Sequence, residues 1–299
     1  MSDEATPALV NPSAGSGKKA LAALKASGSY VVTEMEPDGL EPALRKAIAA
    51  RHRRVLVSGG DGTIAAAAAM LAGTGIELAV VPGGTLNHFA RDHGIPTDHA
   101  KAAELGTAGA ARPVDVAYVD DRLFLNTSSV GAYVHFVRTR ERLERFLGYH
   151  LASVVAAFRL LGRIRPFVVE LEIEGTTRRF RTSLVFIAVG ERELRVPTLG
   201  SRVEGGRRGL HVMVVRGWTT ARLVVLAFAA LARGVRPMAR TNHFESFIVD
   251  RVRVDLPRRH GTVAVDGELV SMTTPLEYRL ARDALLLVAD DPADGAVER

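Results

Sequence analysis

The stretch RVLVSGGDGTIAAAAAM, residues Arg54–Met70, decides how the chain folds. It begins with an apolar run rich in β-branched residues, continues through the glycine-rich Gly59–Thr63 and ends in an alanine-rich segment. This order predicts a strand, a turn and a helix. Glycines let backbone N–H groups approach a ligand closely, and the start of the new helix attracts anions. The stretch therefore favours a phosphate site, although a strand-to-helix turn without a ligand would have the same pattern.

Asp61 lies among the glycines of this turn and changes the chemistry that we expect there. A carboxylate repels phosphates unless a cation such as Mg²⁺ lies between them, or unless the carboxylate binds hydroxyl groups instead. The sequence therefore predicts a nucleotide site with a metal ion rather than a simple anion hole.

Composition narrows the class of protein. The chain has 299 residues, of which 47% are hydrophobic, and this length is typical of about two domains. Its net charge of +6 permits anionic partners. Aromatic residues make up 6% of the chain and are not interleaved with blocks of lysine or arginine, so we predict no nucleic-acid partner.

Patterns typical of secretion or of membrane insertion are not found in the sequence. There is no cysteine, which excludes disulfides and thiolate metal sites. The opening MSDEATPALV is unlike a secretory signal, and the longest strongly apolar run, Leu223–Ala232, is shorter than the roughly 20 residues of a spanning helix. We expect a cytoplasmic protein without a transmembrane segment. Peripheral attachment at the inner membrane face and a homodimer are left open.

Residues 1–113 alternate between predicted strands and helices that short loops connect. This alternation is typical of a three-layer α/β domain, in which helices cover both faces of a parallel sheet. Because ligands bind beyond the carboxyl ends of such strands, we expect the candidate binding residues to share one edge of the sheet. These residues are Asn11, Thr33, Gly59–Thr63 and Gly83–Thr85.

The segment Gly15-Ser16-Gly17 supports a competing interpretation. Together with Ala20 it fits the G-x-G-x-x-A fingerprint of dinucleotide-binding folds, which would favour an NAD(P)-dependent oxidoreductase. Pro12 separates the preceding strand from this turn, whereas the fingerprint has its first glycine at the strand end. We therefore rank the oxidoreductase below the nucleotide–metal site predicted at Gly59–Thr63.

From Val114 onwards the sequence becomes strand-like, and we predict a mostly antiparallel β domain over residues 114–283. A strand near 284–290 could return to the first domain. A helix predicted over about 146–162 carries an apolar stripe and is surrounded by arginines. Such a helix can lie on an anionic membrane surface, or it can pack on a sheet with its basic face in solvent. A second helix, at about 220–232, is apolar nearly all round and is expected to be buried.

The ordered set of motifs resembles the diacylglycerol kinase catalytic-domain family, which includes sphingosine kinases and bacterial lipid kinases and is related to NAD kinases. The motifs are, in chain order, Asn11-Pro12 with Gly15 and Gly17, then Gly59–Thr63, Pro82–Asn87 and Asp266–Glu268. The Gly-Gly-Asp-Gly-Thr motif alone is shared with NAD kinases, whereas the ordered set is much more specific. The resemblance extends from about Pro7 to about Ala289.

The resemblance implies an α/β nucleotide domain and a C-terminal β-sandwich, with the active site in the cleft between them. It implies ATP with Mg²⁺ as donor and a lipid hydroxyl, of diacylglycerol or sphingoid type, as acceptor. Glu268 would be the general base on that hydroxyl, while Asp61 and Asp115 would lie nearest to the nucleotide and its Mg²⁺. The residues implied in nucleotide binding are Asn11, Thr33, Gly59, Gly60, Asp61, Gly62, Thr63, Gly84, Thr85 and Asn87. Taken alone, Asp266-Gly267 favours a hairpin turn.

Two positions depart from the family pattern. His88 follows Asn87 where the family commonly has an acid. Bacterial members also hold a structural Mg²⁺ with an acid just before a Gly-Leu step, but here Gly209-Leu210 follows Arg207 and Arg208. Because arginine cannot ligate Mg²⁺, we predict that this second metal is absent and that Arg208 supplies a cation in its place.

Two alternatives to a lipid kinase stay open on the sequence. One is an NAD kinase-like or other small-molecule kinase, and the other is a non-catalytic family member that binds nucleotide or lipid. A lipid acceptor needs an apolar wall, which Leu184–Val189 and Leu210–Val215 could supply, although both could equally be core strands. The presence of Asp61, Asp115 and Glu268 together argues against the non-catalytic alternative.

Overall fold

The structure is a computed structural model that describes residues 6–290 apart from 14, 37, 162–165, 194–201, 204 and 217–243. It divides into two compact units, one formed by Met1–Val116 with Ala281–Arg299 and the other by Ala117–Leu280. The helix predicted at about 220–232 lies outside the described residues. Each unit is described by itself below.

The first unit alternates strands and helices in chain order. Its elements are β1 (Thr6–Val10), α1 (Gly17–Ser27), β2 (Tyr30–Glu34), α2 (Leu40–Ala49), β3 (Arg54–Gly59), α3 (Asp61–Leu71), β4 (Glu77–Pro82), α4 (His88–Asp92) and α5 (His99–Ala108). Strand β5 (Ala111–Val119) begins in this unit, and the last part of β15 (Leu276–Val288) belongs to it as well.

The sheet of the first unit has the order β15-β4-β3-β1-β2. All four neighbouring pairs are parallel, including the pair in which Leu286 and Leu287 of β15 lie beside Glu77 and Leu78 of β4. The central strand β3 is buried along nearly its whole length, as expected when helices cover both faces of a parallel sheet. The helices form two groups, in which α1 packs on α5 and α2 packs on α3. The predicted α/β class is confirmed.

The second unit consists mainly of antiparallel strands. They are β6 (Arg122–Phe124), β7 (Thr127–Gly131), β8 (Phe167–Ile173), β9 (Thr176–Val189), β10 (Leu210–Arg216), β11 (Phe244–Val249), β12 (Arg251–Asp255), β13 (His260–Val265) and β14 (Glu268–Thr273). The order is β14-β13-β7-β9-β8-β12-β15, and β10 pairs with both β9 and β11. The first half of the long β9 pairs with β8, and its second half pairs with β7 and β10. Apolar side chains from alternating positions of these strands form one core, so the predicted antiparallel class is confirmed.

The helix predicted over about 146–162 differs in length and shape from the helix observed. Helix α6 runs from Ala132 to Leu161 and is interrupted at Gly148, whose φ of 68° and ψ of 166° are not helical. The many charges between Arg138 and Arg145 hide the apolar periodicity of its first half from sequence inspection. The strand predicted near 284–290 is likewise the last part of one longer strand, β15. Within the described parts of the chain, no helix is long and apolar enough to cross a membrane.

Candidate functional site

Three loops that follow parallel strands of the first unit contact one another through their backbones. The amide of Ser16, after β1, donates to the carbonyl of Gly83, after β4, over 3.0 Å. The amide of Gly83 in turn donates to the carbonyl of Gly59, at the end of β3, over 2.8 Å. The structure therefore brings together the Gly15–Gly17 turn, the Gly59–Thr63 turn and the Pro82–Asn87 loop at the carboxyl edge of the sheet.

Several glycines at this edge are required because the loops pack so closely. A Cβ atom on Gly15, which has a φ of +48°, would lie 2.2 Å from the carbonyl oxygen of Gly83. A Cβ on Gly84 would lie 2.7 Å from the Cα of Gly60, and one on Gly17 would lie 2.1 Å from the carbonyl oxygen of Asn11. Loop-to-loop packing thus accounts for Gly15 and Gly17 without a dinucleotide, which removes the only support for the oxidoreductase.

Asp61 is the first residue of helix α3 and is half-buried. Its Oδ1 accepts a hydrogen bond from the backbone amide of Phe89, in α4, over 3.2 Å. Gly60 before it is extended, so the first amides of α3 are left without partners from within the helix. The carboxylate therefore ties α4 to the start of α3, at an end where the helix dipole favours negative charge.

Asn87 closes the loop after β4 with its side-chain amide. Its Oδ1 accepts from the amide of Gly84, and its Nδ2 donates to the carbonyl of Gly84, both over 2.8 Å. Its φ of +50° lies in the left-handed region, which asparagine tolerates better than most residues. Asn87 thus holds the shape of the loop, and the exposed Thr85 lies within that loop.

The side chains of Asn11, Thr63 and Thr33, which were also predicted to bind nucleotide, differ in their contacts and exposure. Asn11 accepts from the backbone amide and the hydroxyl of Ser13, over 2.9 and 2.6 Å, and so forms the turn after β1. The side chain of Thr63 fills the space beside Gly59, where a Cβ would lie 2.5 Å from the Thr63 Cβ. Thr33 is exposed on β2, beside Leu9 of β1.

Asp115 lies on β5 and is buried. Its Oδ1 accepts the backbone amide of Asp283 over 3.0 Å, and Asp283 has a left-handed φ of +52°. The carboxylate therefore stabilises an unusual backbone conformation where β15 enters the first unit. Sequence inspection offered no sign of this contact, because the two residues are far apart in the chain.

In the second unit, Asp266 and Gly267 form the two-residue turn between β13 and β14. Their φ values of +46° and +88° fit the tight hairpin turns that Asp-Gly favours, and Val265 pairs with Glu268 across the turn. Asp266 also accepts three backbone hydrogen bonds over 2.7 to 2.9 Å. The donors are the amides of Leu125, Asn126 and Thr127. The turn is therefore fixed to the connection between β6 and β7.

Glu268 directly follows this turn. Its side chain is 59% exposed, and its Oε2 accepts a hydrogen bond from Nη2 of Arg122 over 2.6 Å. Sequence reasoning missed Arg122, which precedes the segment that Asp266 binds. The Glu268 carboxylate, directly after the hairpin turn, is therefore largely open to solvent.

The loop before Leu210, where we predicted a missing metal, contains charged and buried polar groups. The amide of Arg207 donates to Oε2 of Glu191 over 2.8 Å, and this hydrogen bond lowers the pKa of the Glu191 carboxyl. His211 accepts the amide of Arg192 at Nδ1 over 2.9 Å, and burial lowers the pKa of its imidazole. Among the residues that the structure describes, no three His, Asp or Glu side chains are grouped so as to hold a metal. The cationic role of Arg208 stays a prediction.

Part of the chain matches a known family and is similar in sequence to known proteins. Residues 7–119 match the model of the diacylglycerol kinase catalytic domain. A diacylglycerol kinase of Mycobacterium tuberculosis is 31% identical over 182 residues, which are 56% of this chain and 59% of the relative. A probable YegS-like lipid kinase of Pseudomonas syringae is 42% identical over 109 residues, which are 35% of each chain. The matched parts thus span less than two thirds of these relatives.

Similarity of fold extends over more of the chain than the sequence similarities to these relatives do. A crystal structure of a Bacillus anthracis diacylglycerol kinase matches 97% of this chain and 98% of its own, with a TM-score of 0.69 and 22% identity. At that identity the likeness concerns the fold alone. The resemblance that the ordered motifs predicted is confirmed by this match of residues 7–119 to the diacylglycerol kinase catalytic domain.

Proposed function

We propose that this protein is a kinase that transfers the γ-phosphoryl group of ATP to the hydroxyl of a lipid of diacylglycerol or sphingoid type. The observation that carries the proposal is the backbone packing of three glycine-containing loops at the carboxyl edge of the parallel sheet. Such edges bind nucleotides in α/β folds. The names of the relatives, a diacylglycerol kinase and a probable lipid kinase, support a lipid acceptor.

The nucleotide would bind against the loops of the first unit. The amides at the start of α3 would face its phosphates, because an exposed helix start presents unpaired N–H groups and a positive dipole end. Gly59–Thr63 and the loop that Asn87 closes would shape the phosphate site, with Thr85 exposed at its rim. Asn11 and Thr33 would border the site from the first two strands.

Asp61 fits the role of a carboxylate near Mg²⁺, since it is half-buried beside the proposed phosphate site and carboxylate oxygens are ligands that Mg²⁺ prefers. Asp115 fits that role less directly, because its Oδ1 already binds the Asp283 amide. Mg²⁺ bound with the phosphates would neutralise charge on the transferred group. We propose Asp61 as the principal carboxylate at the metal and Asp115 as its support.

Glu268 would accept the proton of the attacking hydroxyl. Phosphoryl transfer relies mainly on positioning and charge neutralisation, and a carboxylate near the acceptor supplies the remaining acid–base step. The side chain is exposed, and Asp266 fixes the backbone beside it through three hydrogen bonds. Arg122 would orient the carboxylate before the acceptor binds.

The test is turnover of labelled ATP against a panel of diacylglycerol, sphingoid bases and water-soluble alcohols, with products identified by mass spectrometry. We expect a phosphorylated lipid, and we expect Glu268→Gln to lower kcat by about a hundredfold or more. Glu277→Gln is the matched control, since Glu277 is an exposed glutamate of the same unit that pairs with Arg253. It should leave kcat unchanged.

Three outcomes would contradict parts of the proposal. Phosphorylation of a water-soluble alcohol alone would identify a small-molecule kinase, including an NAD kinase-like enzyme. Binding of ATP without turnover of any acceptor would identify a non-catalytic member. An equally fast Glu268→Gln enzyme would leave a lipid kinase in place but remove the role given to Glu268.

A further inference from the structure

Large apolar side chains are exposed in one short segment of helix α6. Among the described residues, four large hydrophobic side chains are exposed: Val31 (59%), Phe146 (82%), Leu147 (39%) and Leu151 (49%). Three of these four lie within the six residues from Phe146 to Leu151, which we call the apolar tip. Clustered exposed apolar groups mark binding surfaces, whereas single ones do not.

The apolar tip coincides with the break in α6. Gly148 has a φ of +68° and a ψ of 166°, a backbone conformation that side-chain-bearing residues avoid. Phe146 and Leu147 therefore lie directly before the break, and Leu151 lies three residues after it. The neighbouring parts of both segments are packed, since Val134 and Val137 on one side and Ala152 and Ala156 on the other are buried. Among the described side chains of α6, the large exposed apolar groups therefore lie on the two sides of the break.

The sequence around the apolar tip is basic. Helix α6 contains five arginines and two glutamates, and the side chains of Arg138, Arg142 and Arg159 are exposed. An apolar surface bordered by arginines suits an anionic bilayer, where apolar side chains enter the headgroup region and guanidinium groups meet lipid phosphates. A second copy of the chain is a poorer partner, because a symmetric contact would bring the same arginines together.

We propose that the apolar tip, Phe146–Leu151, docks this protein onto an anionic lipid bilayer. Phe146, Leu147 and Leu151 enter the interface, and the exposed arginines of α6 bind lipid phosphates. The inference does not rest on the proposed kinase activity, because binding to vesicles is measured without ATP. It adds a lipid-surface site that lies outside the loops and the carboxylates described above.

The test is co-sedimentation of the whole protein with phosphatidylcholine vesicles that either contain or lack phosphatidylglycerol. We expect binding to the anionic vesicles and weakening of that binding by added salt. The double variant Phe146→Ser, Leu147→Ser should lower the partition coefficient by about tenfold or more, because the apolar groups no longer enter the interface. Val31→Ser is the matched control, since it removes the fourth exposed side chain, from strand β2, and should bind as the original does.

Reversing the charge of one arginine near the apolar tip tests how much electrostatic attraction contributes to vesicle binding. Arg142→Glu should weaken binding to anionic vesicles, whereas Arg251→Glu, at an exposed arginine on β12, should have a much smaller effect. Far-UV circular dichroism and thermal unfolding check that each variant folds, and we expect them to, since the replaced side chains are exposed.

Two results would overturn the proposal. One is binding of the double variant to anionic vesicles as tightly as Val31→Ser. The other is an original protein that does not bind anionic vesicles but forms a dimer in sedimentation velocity, which the double variant dissociates. In that case the apolar tip would be an interface between two copies of the chain.

Discussion

At the scale of single residues, two acids of one short motif have different surroundings. Asp266 is fully engaged with backbone, since it accepts three amide hydrogen bonds and occupies a left-handed position in the turn. The Glu268 carboxylate is exposed and accepts a hydrogen bond from the side chain of Arg122. The motif thus combines an acid that holds the hairpin backbone with an exposed acid whose carboxylate pairs with a side chain. Chemistry and stability can therefore be separated by mutation.

We predict that Asp266→Ala lowers the free energy of unfolding by about 3 kcal/mol or more, because three partly buried amides lose a charged acceptor. Asp266→Asn keeps one acceptor oxygen and tolerates the positive φ, so its loss should be intermediate. Glu268→Gln should have no effect beyond about 0.5 kcal/mol, as its ion pair is exposed. Urea unfolding measures all three variants. Equal losses for Asp266→Ala and Glu268→Gln would show that the three hydrogen bonds do not stabilise the hairpin.

At the scale of elements, the candidate nucleotide site depends on loops that pack without side chains between them. The turn before α1 touches the loop after β4, and that loop touches the end of β3. The glycines at these contacts allow the loops to pack, whether or not a ligand binds. Because backbone atoms of the three loops are in close contact at this candidate site, a single added methyl group should disturb its shape.

We predict that Gly15→Ala destabilises the protein much more than Gly28→Ala does. Both glycines have positive φ values, +48° and +66°, so both substitutions carry the cost of a left-handed alanine, about 1–2 kcal/mol. Only Gly15 has a crowded neighbour, the Gly83 carbonyl oxygen at 2.2 Å from the added Cβ, whereas Gly28 has no atom within 4 Å. The clash should add about 1–3 kcal/mol.

Urea unfolding gives the comparison of the two alanine variants, and hydrogen exchange at the amides of Ser16 and Gly83 shows whether the loop contact opens. Faster exchange at both amides is expected in Gly15→Ala alone. If Gly28→Ala costs as much and exchanges as fast, backbone conformation rather than loop packing explains the glycine at position 15.

The elements also show which parts of the site the sequence could predict. The strand-turn-helix pattern of Arg54–Met70 and the Asp-Gly hairpin turn follow from local preferences, and both are found as expected. Contacts between distant segments, such as Asp61 with the Phe89 amide and Asp115 with the Asp283 amide, depend on tertiary packing that no local pattern records. The break at Gly148 was hidden because one glycine inside a charged helix has no distinctive pattern.

At the scale of the whole molecule, the chain leaves the first unit and returns to it. Residues 117–280 form the second unit, and the last part of β15 then lies beside β4. The core of the first unit therefore includes residues from both ends of the sequence. Leu285, Leu287 and Val288 are almost completely buried, whereas the intervening Leu286 is only half-buried.

We predict that Leu287→Ala destabilises the first unit by about 2–5 kcal/mol, the usual cost of removing a buried leucine side chain from a core. Because two units need not unfold together, the measurement is hydrogen exchange resolved by segment rather than a single melting temperature. Amides of β3 and β4 should exchange about thirtyfold faster or more, at about 1.4 kcal/mol per tenfold change. Amides of β8 and β9 should keep their rates. Leu286→Ala is the matched control, with a smaller expected effect, and acceleration confined to β8 and β9 would assign the returning strand to the second unit instead.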